Sequence, residues 1–201
     1  WIMALLMKDF GLSMNDAGAI LGNLGHESGG LASLQEIAPT VKGSKGGYGW
    51  AQWTGPRRRA FMAYCDRNKL RPASDEANYK WLFLDLSGDY KNAIAAVKKA
   101  KALDEKVKAF EATFEKAGVK HYESRNAWAR RALEAYNAKA GNIILPVWAR
   151  PTEKPAQRVQ PPVAPIQPPA PQTAPVPTPV AKGWLATLIE AIAAMFGRKT
   201  T

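Results

Sequence analysis

The chain has 201 residues, of which 46% are hydrophobic, and a formal net charge of +11 at pH 7. A chain of this length can bury one sizeable core, and its single cysteine, Cys65, excludes an intrachain disulfide and a cysteine-based zinc site. The basic excess favours polyanionic partners such as nucleic acid, anionic lipid or the acidic polymers of a bacterial envelope, and its sign does not choose among them.

The chain starts with an apolar stretch, WIMALLMKDF, which has no basic region before it and no small-residue cleavage site after it. Such a stretch makes a poor secretory signal. The lone cysteine also fits synthesis in a reducing cytosol. We therefore expect a protein that is made in the cytoplasm and is not exported by a signal of its own.

Residues 14–27 are predicted to form a helix that Ser13 caps, with Asp16 as the acid of a capping box. Glycine recurs along one stripe of this helix and just beyond it, although each glycine in a helix interior costs about 1 kcal/mol relative to alanine. The stripe indicates close approach, either of a second helix or of a ligand. Its members are Gly18, Gly22, Gly25 and Gly29.

The next segment, residues 29–47, contains glycine, proline, lysine and serine without periodicity and is predicted to form a long loop. Loops of this length in compact domains are commonly functional. The loop is followed by GYGWAQW, in which aromatic residues nearly alternate with small or polar ones. This pattern predicts a short strand or the edge of a hairpin.

From Pro56 onward, apolar residues recur at helical spacing. The segment 103–117 is one of these helices, and its Lys106, Lys108, Glu111 and Glu115 are predicted to face water. The predicted helices span 57–69, 75–87, 89–101, 103–117 and 122–139.

Twelve of the fifteen prolines lie between Pro146 and Pro179. This composition predicts a folded domain over 1–145 and a proline-rich linker over 146–181. The apolar pattern that follows predicts an amphipathic helix over 182–201. The apolar run of the last segment is shorter than the roughly twenty residues that span a bilayer. Contact with a membrane surface, docking on its own domain and docking on a partner all fit it.

The predicted chemistry centres on Glu27, because it lies at the C-terminal end of a helix, where the helix dipole disfavours negative charge. An aromatic wall made by Tyr48, Trp50 and Trp53 would further favour the protonated carboxyl. A protonated glutamic acid is the group that glycoside cleavage needs as a general acid. Aromatic faces would also carry sugar rings, and the amides of Gln52 and Asn23 could bind their hydroxyls.

The chain resembles the phage tail lysozyme family, which is related to goose-type lysozymes and soluble lytic transglycosylases. The resemblance rests on LGNLGHESGG and GGYGWAQWTGPRR, and it extends over residues 8–137 through YKWLFLDLSGDYKNAI and SRNAWARRALEAY. It implies an α+β, predominantly helical, lysozyme-like domain with a small β element. The implied activity is cleavage of the β-1,4 bond between N-acetylmuramic acid and N-acetylglucosamine in peptidoglycan.

The resemblance also implies roles for single residues. Glu27 matches the catalytic acid of the family, with Ser28 beside it, and a cleft-lining strand matches Tyr48, Gly49 and Gln52. Sugar binding by Trp50 and Trp53 is our inference from chemistry.

Glu36, in the loop between the two motifs, is the candidate for a second carboxylate. A second carboxylate is not obligatory, because N-acetyl sugars can assist their own cleavage. In lytic transglycosylases, one glutamate serves first as acid and then as base. Hydrolase and transglycosylase chemistry therefore both stay open.

These features predict a cell-wall lytic enzyme of phage or prophage origin. It would act either as an endolysin, held in the host cytoplasm until it reaches the periplasm and cell wall, or as a lysin of the virion. A non-catalytic peptidoglycan-binding module is the alternative, and a nucleic-acid binder has no recognisable motif to support it. We expect peptidoglycan as the partner, membrane or outer-envelope contact through 182–201, a monomer, and no cofactor, metal or specific nucleic acid.

Overall fold

The structure is a computed structural model, and it describes residues 1–37, 39 and 43–150. Most of the predicted linker and the whole predicted C-terminal helix, 182–201, lie outside the described residues. Within the described residues the fold is predominantly helical, as the periodicity predicts. Its α-helices are α1 (Ile2–Phe10), α2 (Met14–Glu27), α3 (Gly55–Asn68), α4 (Asp75–Ser87), α5 (Lys91–Lys99), α6 (Leu103–Phe110) and α7 (Tyr122–Ala138).

Helix α2 begins at the predicted capping box. The Ser13 side chain accepts a hydrogen bond from the Asp16 backbone N–H at 3.2 Å, and the Asp16 carboxylate accepts one from the Ser13 N–H at 2.9 Å. These two bonds satisfy backbone donors that the first turn of a helix leaves without partners. The predicted start of the helix is therefore confirmed.

The glycine stripe of α2 packs against α7. A Cβ atom added at Gly22 would lie 2.6 Å from the backbone oxygen of Arg125 and 2.7 Å from the Cβ of Ala129. At Gly25 the nearest neighbour is the Trp128 side chain, at 3.1 Å. Close packing against another helix is thus confirmed for the glycines within α2, and it brings residues of α7 to the end of α2. Gly29, beyond the helix, instead faces Ser33 at 3.8 Å.

A π-helical turn, Glu111–Glu115, continues α6, where the sequence predicts one uninterrupted α-helix over 103–117. A π turn holds more residues than an α turn, so the side chains that follow Phe110 leave the predicted faces. Glu111 is fully buried, and Lys106 is buried in an ion pair with Asp16. The prediction that Lys106 and Glu111 face water is wrong, whereas Lys108 is exposed as predicted.

The short strand or hairpin edge predicted for GYGWAQW, residues 47–53, is not formed as a strand, and no sheet forms among residues 1–37, 39 and 43–150. Two isolated antiparallel bridges occur instead, one between Gln35 and Tyr48 and one between Tyr48 and Trp53. Gly49 and Gln52 have positive φ angles of 80° and 44°, which turn the chain back on itself. An extended strand cannot continue through two left-handed residues, so the β element is reduced to a tight turn.

The core lies between the helices and is rich in aromatic residues. Trp1 packs on Trp50 with ring centroids 6.0 Å apart, and Trp148 of a short 3-10 turn (Val147–Ala149) packs on Trp1 at 5.5 Å. The first residues after the predicted domain end at 145 therefore contact the core. In the described part of the chain, no helix combines the length and apolarity needed to cross a membrane.

Candidate active site

Three carboxyl side chains line one polar cavity of about 350 Å³. Glu27 enters it from the end of α2, Glu36 from the long loop, and Glu115 from the π turn. Gln52 and Arg57 also line it. Three of the predicted site residues, Glu27, Glu36 and Gln52, are thus brought together, although 25 residues separate the first from the last.

Glu27 forms an ion pair with Arg125 of α7. The Arg125 Nη2 donates to the Glu27 Oε1 at 2.6 Å; the arginine side chain is 1% exposed and the glutamate side chain 21%. The arginine is itself fixed, because its Nη1 donates to Asn23 at 3.0 Å and its Nε donates to the Lys120 carbonyl at 2.7 Å. The Glu27 carboxyl is therefore oriented by a buried cation, where the sequence predicts an apolar wall.

Asn23 helps to hold Arg125 in place and does not line the cavity. It is fully buried, and its amide donates to the carbonyls of Ala19 at 3.0 Å and Val107 at 3.1 Å. Its oxygen is used by Arg125. The predicted contact between Asn23 and sugar hydroxyls is therefore incompatible with this structure.

Ser28 ends α2 and is fully buried. Its hydroxyl donates to the Leu24 carbonyl at 2.7 Å and accepts from the Leu31 N–H at 3.2 Å. It thus caps the helix end at which Glu27 lies, with its polar atoms engaged by the backbone.

Trp50 and Trp53 lie in the core, at 1% and 0% exposure, and neither lines the cavity. The Trp53 indole donates to Asp85 at 2.9 Å and packs on Phe61, with ring centroids 4.9 Å apart. The Trp50 backbone N–H donates to Asn78 at 3.0 Å. Both indoles pack in the core beneath the turn. The expectation that they form an aromatic wall beside Glu27 and a platform for sugars is therefore wrong.

The turn brings Gln52 to the cavity. Tyr48 and Gly49, the other two residues that match the cleft-lining strand, do not line the cavity. The Gln52 amide donates to the carbonyls of Leu34 at 3.1 Å and Gly49 at 2.9 Å. Gly49 has no room for a side chain, since an added Cβ would lie 2.5 Å from the Trp53 ring. Tyr48 is half-buried, and the Arg58 guanidinium lies 5.2 Å from its ring centroid.

Glu36 is anchored to the loop backbone. Its Oε2 accepts from the Gly47 N–H at 2.6 Å, and its own N–H donates to the Gly47 carbonyl at 3.0 Å. Arg58 of α3 holds the same part of the loop, because its guanidinium donates to the Gly46 carbonyl and to the Gln35 side chain, both at 2.9 Å. The candidate second carboxylate therefore lies in the cavity with one oxygen in use.

Arg57 supplies a positive charge to the cavity lining. Its Nη2 donates to Asp85 at 2.9 Å. The guanidinium lies over the rings of Tyr90 and Phe114, 4.3 and 4.6 Å from their centroids. These contacts fix the arginine in one position at the edge of the three carboxyl groups.

Glu115 is the cavity residue that sequence reasoning missed. Its Oε1 is buried and has no hydrogen-bond partner among the described residues. Burial raises the pKa of Glu115 well above its usual value, and the negative charge of Glu27 raises it further. The nearby Arg57 and Arg125 act in the opposite direction but do not reverse the shift. The sequence carries no signal for the π turn that redirects this side chain.

The two histidines, 95 residues apart in the chain, also meet. The rings of His26 and His121 have centroids 5.2 Å apart, and the His26 Nδ1 lies 2.9 Å from the Ser124 hydroxyl. Burial lowers the pKa of His26, and the Arg125 charge lowers it further. Over the described residues, no group of three or more His, Cys, Asp or Glu side chains is arranged to hold a metal ion.

The chain matches a family of known proteins. A family model described as phage tail lysozyme matches residues 1–136. The match contains every carboxyl group of the cavity and the arginine that pairs with Glu27. A search of curated proteins finds no match.

Proposed function

Because the chain belongs to the phage tail lysozyme family, we propose that it cleaves the β-1,4 bond between N-acetylmuramic acid and N-acetylglucosamine, with Glu27 as the general acid. Family membership supports a lysozyme-like, peptidoglycan-degrading enzyme of bacteriophage in general. The bond, the residue and the chemistry are our proposal.

The observation that carries the proposal is the position of Glu27. It stands at a helix end, in a cavity with two other carboxyl groups, and a buried arginine fixes its orientation. The hydrogen bonds of the described residues use its Oε1 alone, which leaves Oε2 for a ligand. Glycosidases need a carboxyl group that is held in place and can still reach the glycosidic oxygen.

In the proposed reaction, Glu27 donates its proton to the glycosidic oxygen while the bond from C1 to that oxygen breaks. The electron pair of the bond stays with the departing oxygen. A water molecule then captures C1 in a hydrolase, or the C6 hydroxyl of the same sugar captures it in a transglycosylase. The proton of that water or hydroxyl returns to the carboxylate, so one glutamate can serve as acid and then as base.

Mass spectrometry of purified peptidoglycan digested with the wild type and with Glu27→Gln tests the proposal. Reducing ends would identify a hydrolase and anhydro ends a transglycosylase, and the variant should release neither. The exposed Glu134, on the outer side of α7, offers a control, since Glu134→Gln should cleave like the wild type. A wild type that sediments with peptidoglycan but releases no fragments would instead indicate a binding module.

We further propose that residues 1–145 carry the catalysis, that 146–181 act as a linker, and that 182–201 contact the membrane or outer envelope. The enzyme would then work as a monomer, either as an endolysin or on the virion. The basic charge of the chain supports attraction to an anionic envelope. Deletion of 182–201 should reduce binding to anionic vesicles and lysis from outside, and unchanged values for both would refute the role of this segment.

A further inference from the structure

Glu27 and Glu115 line the same cavity in unlike surroundings. Glu27 has a buried cation 2.6 Å from one of its oxygens. Glu115 has a buried oxygen without any partner in the described part of the chain. Two carboxyl groups whose environments differ in this way tend to divide into one that is charged and one that holds a proton.

The charges around Glu115 support this division. The groups that act on it are Glu27 of α2, Arg57 of α3, Arg125 of α7 and Glu111 of its own π turn. Arg57 is engaged by Asp85 and Arg125 by Glu27, while Glu111 is held by Lys120 at 3.0 Å. Each cation of this group thus has an anionic partner other than Glu115. A carboxylate with one oxygen buried away from any cation or hydrogen-bond donor is costly, and the neutral acid reduces that cost.

Glu36, the carboxyl group predicted from the sequence, differs from Glu115 in that the loop backbone engages it. Its Oε2 accepts a hydrogen bond from the Gly47 N–H at 2.6 Å. Glu36 therefore anchors the loop at the cavity.

We propose that Glu115 stores the proton that the cleavage consumes, so that the acid of the reaction is the Glu27–Glu115 pair. This inference rests on the proposed function. The proton passes from the Glu115 carboxyl through water in the cavity that both side chains line to the Glu27 Oε2, and from there to the glycosidic oxygen as the bond to C1 breaks. The water or C6 hydroxyl that captures C1 returns a proton to the pair, which restores the starting state. Glu115 is a positioning residue for this proton, because it acts through Glu27.

The test is the pH dependence of kcat/KM for Glu115→Gln on soluble glycan fragments of peptidoglycan. The amide keeps the size of the side chain but cannot store a proton. Without this store, the proton needed for cleavage would be lost at a lower pH, so the alkaline limb of the profile should move to lower pH by about one unit or more. That shift corresponds to about a tenfold loss on the alkaline side. Activity on the acidic side should change by less than about threefold, and Glu134→Gln should reproduce the wild-type profile.

Infrared spectroscopy of the wild type gives a second measurement that does not need activity. A protonated Glu115 carboxyl group should give a C=O stretching band at neutral pH, and the band should be missing in Glu115→Gln. If that variant does not fold, loss of the band on titration of the wild type to alkaline pH still supports the stored proton. A wild type without such a band at neutral pH would overturn the inference.

The kinetic outcomes separate the inference from the proposed function. Cleavage that depends on Glu27, with an alkaline limb that Glu115→Gln does not move, would overturn the inference and leave the function standing. A uniform loss across all pH values would give Glu115 a purely structural role, which also overturns it. A wild type that cleaves no peptidoglycan would remove the function and the inference together.

Discussion

The ion pair between Glu27 and Arg125 should contribute to folding as well as to catalysis. At 2.6 Å and an effective dielectric constant of about 20, the Coulomb attraction is about 6 kcal/mol. This is a ceiling, because the 21% exposure of Glu27 gives it access to water and because an amide at this position would still accept a hydrogen bond. Breaking a buried pair by removing one partner typically costs about 3–5 kcal/mol. We therefore expect Glu27→Gln to lower the free energy of unfolding by about 2–3 kcal/mol.

A double-mutant cycle separates the pair from its surroundings. Glu27→Gln, Arg125→Met and the double variant are unfolded with urea at pH 7, and the coupling free energy is taken from the four values. We expect a coupling of about 2 kcal/mol, since the double variant leaves no buried cation without its anion. Arg125→Met alone should be costly, because the Asn23 oxygen and the Lys120 carbonyl lose their donor.

The exposed Arg130 of α7 provides a matched control, and Arg130→Met should change the free energy of unfolding by less than about 0.5 kcal/mol. A coupling below about 0.5 kcal/mol would refute the reasoning, because Glu27 and Arg125 would then be independent. The cycle also serves the catalytic test. The urea curve of Glu27→Gln shows over which urea concentrations this variant is fully folded, so that activity lost under folding conditions can be assigned to chemistry.

Two further predictions concern the packing and charge of α2. Gly22→Ala should lower the free energy of unfolding by about 1–2 kcal/mol, because the clash with the Arg125 carbonyl outweighs the gain in helix propensity. Gly118→Ala is the control, since a methyl group at Gly118 meets open space. Equal stability of the two variants would contradict the close packing at Gly22. The second prediction concerns the pKa of Asp16. Burial raises this pKa, but the ion pair with Lys106 and the hydrogen bonds from Ser13 outweigh burial and lower it. The contribution of Asp16 to the free energy of unfolding is therefore present above about pH 4 and is lost as the pH falls through the folded-state pKa. Asp16→Asn should therefore destabilise the protein more at pH 6 than at pH 3 in urea unfolding, and an equal difference at both pH values would contradict this.

The sequence predicted the local features of the fold well. The capping box at Ser13 and the glycine stripe of α2 depend on residues a few positions apart, and both are confirmed. Glu27, Glu36 and Gln52, which the sequence indicates as candidate site residues, line one cavity. Short-range patterns carry this information because capping and helical facing are set by spacing along the chain.

What the sequence could not predict depends on contacts between distant segments. The partner of Glu27 lies 98 residues away on α7, and nothing in the spacing selects Arg125 among the arginines of that helix. The sequence predicts that Trp50 and Trp53 form a platform for sugars, but both residues lie in the core. Their burial depends on helices that are distant in the sequence. Glu115 was misplaced because one π turn shifts the face of a helix whose periodicity is otherwise regular.

Arg58 binds residues at both ends of the segment 35–46 of the long loop. The guanidinium ties Gln35 to Gly46, and Glu36 is bonded to Gly47, so both ends of the segment are closed before its middle is reached. Changes of length and composition between residues 37 and 45 should therefore leave the Glu36 carboxyl group in place, because the bonds that hold it lie outside that range.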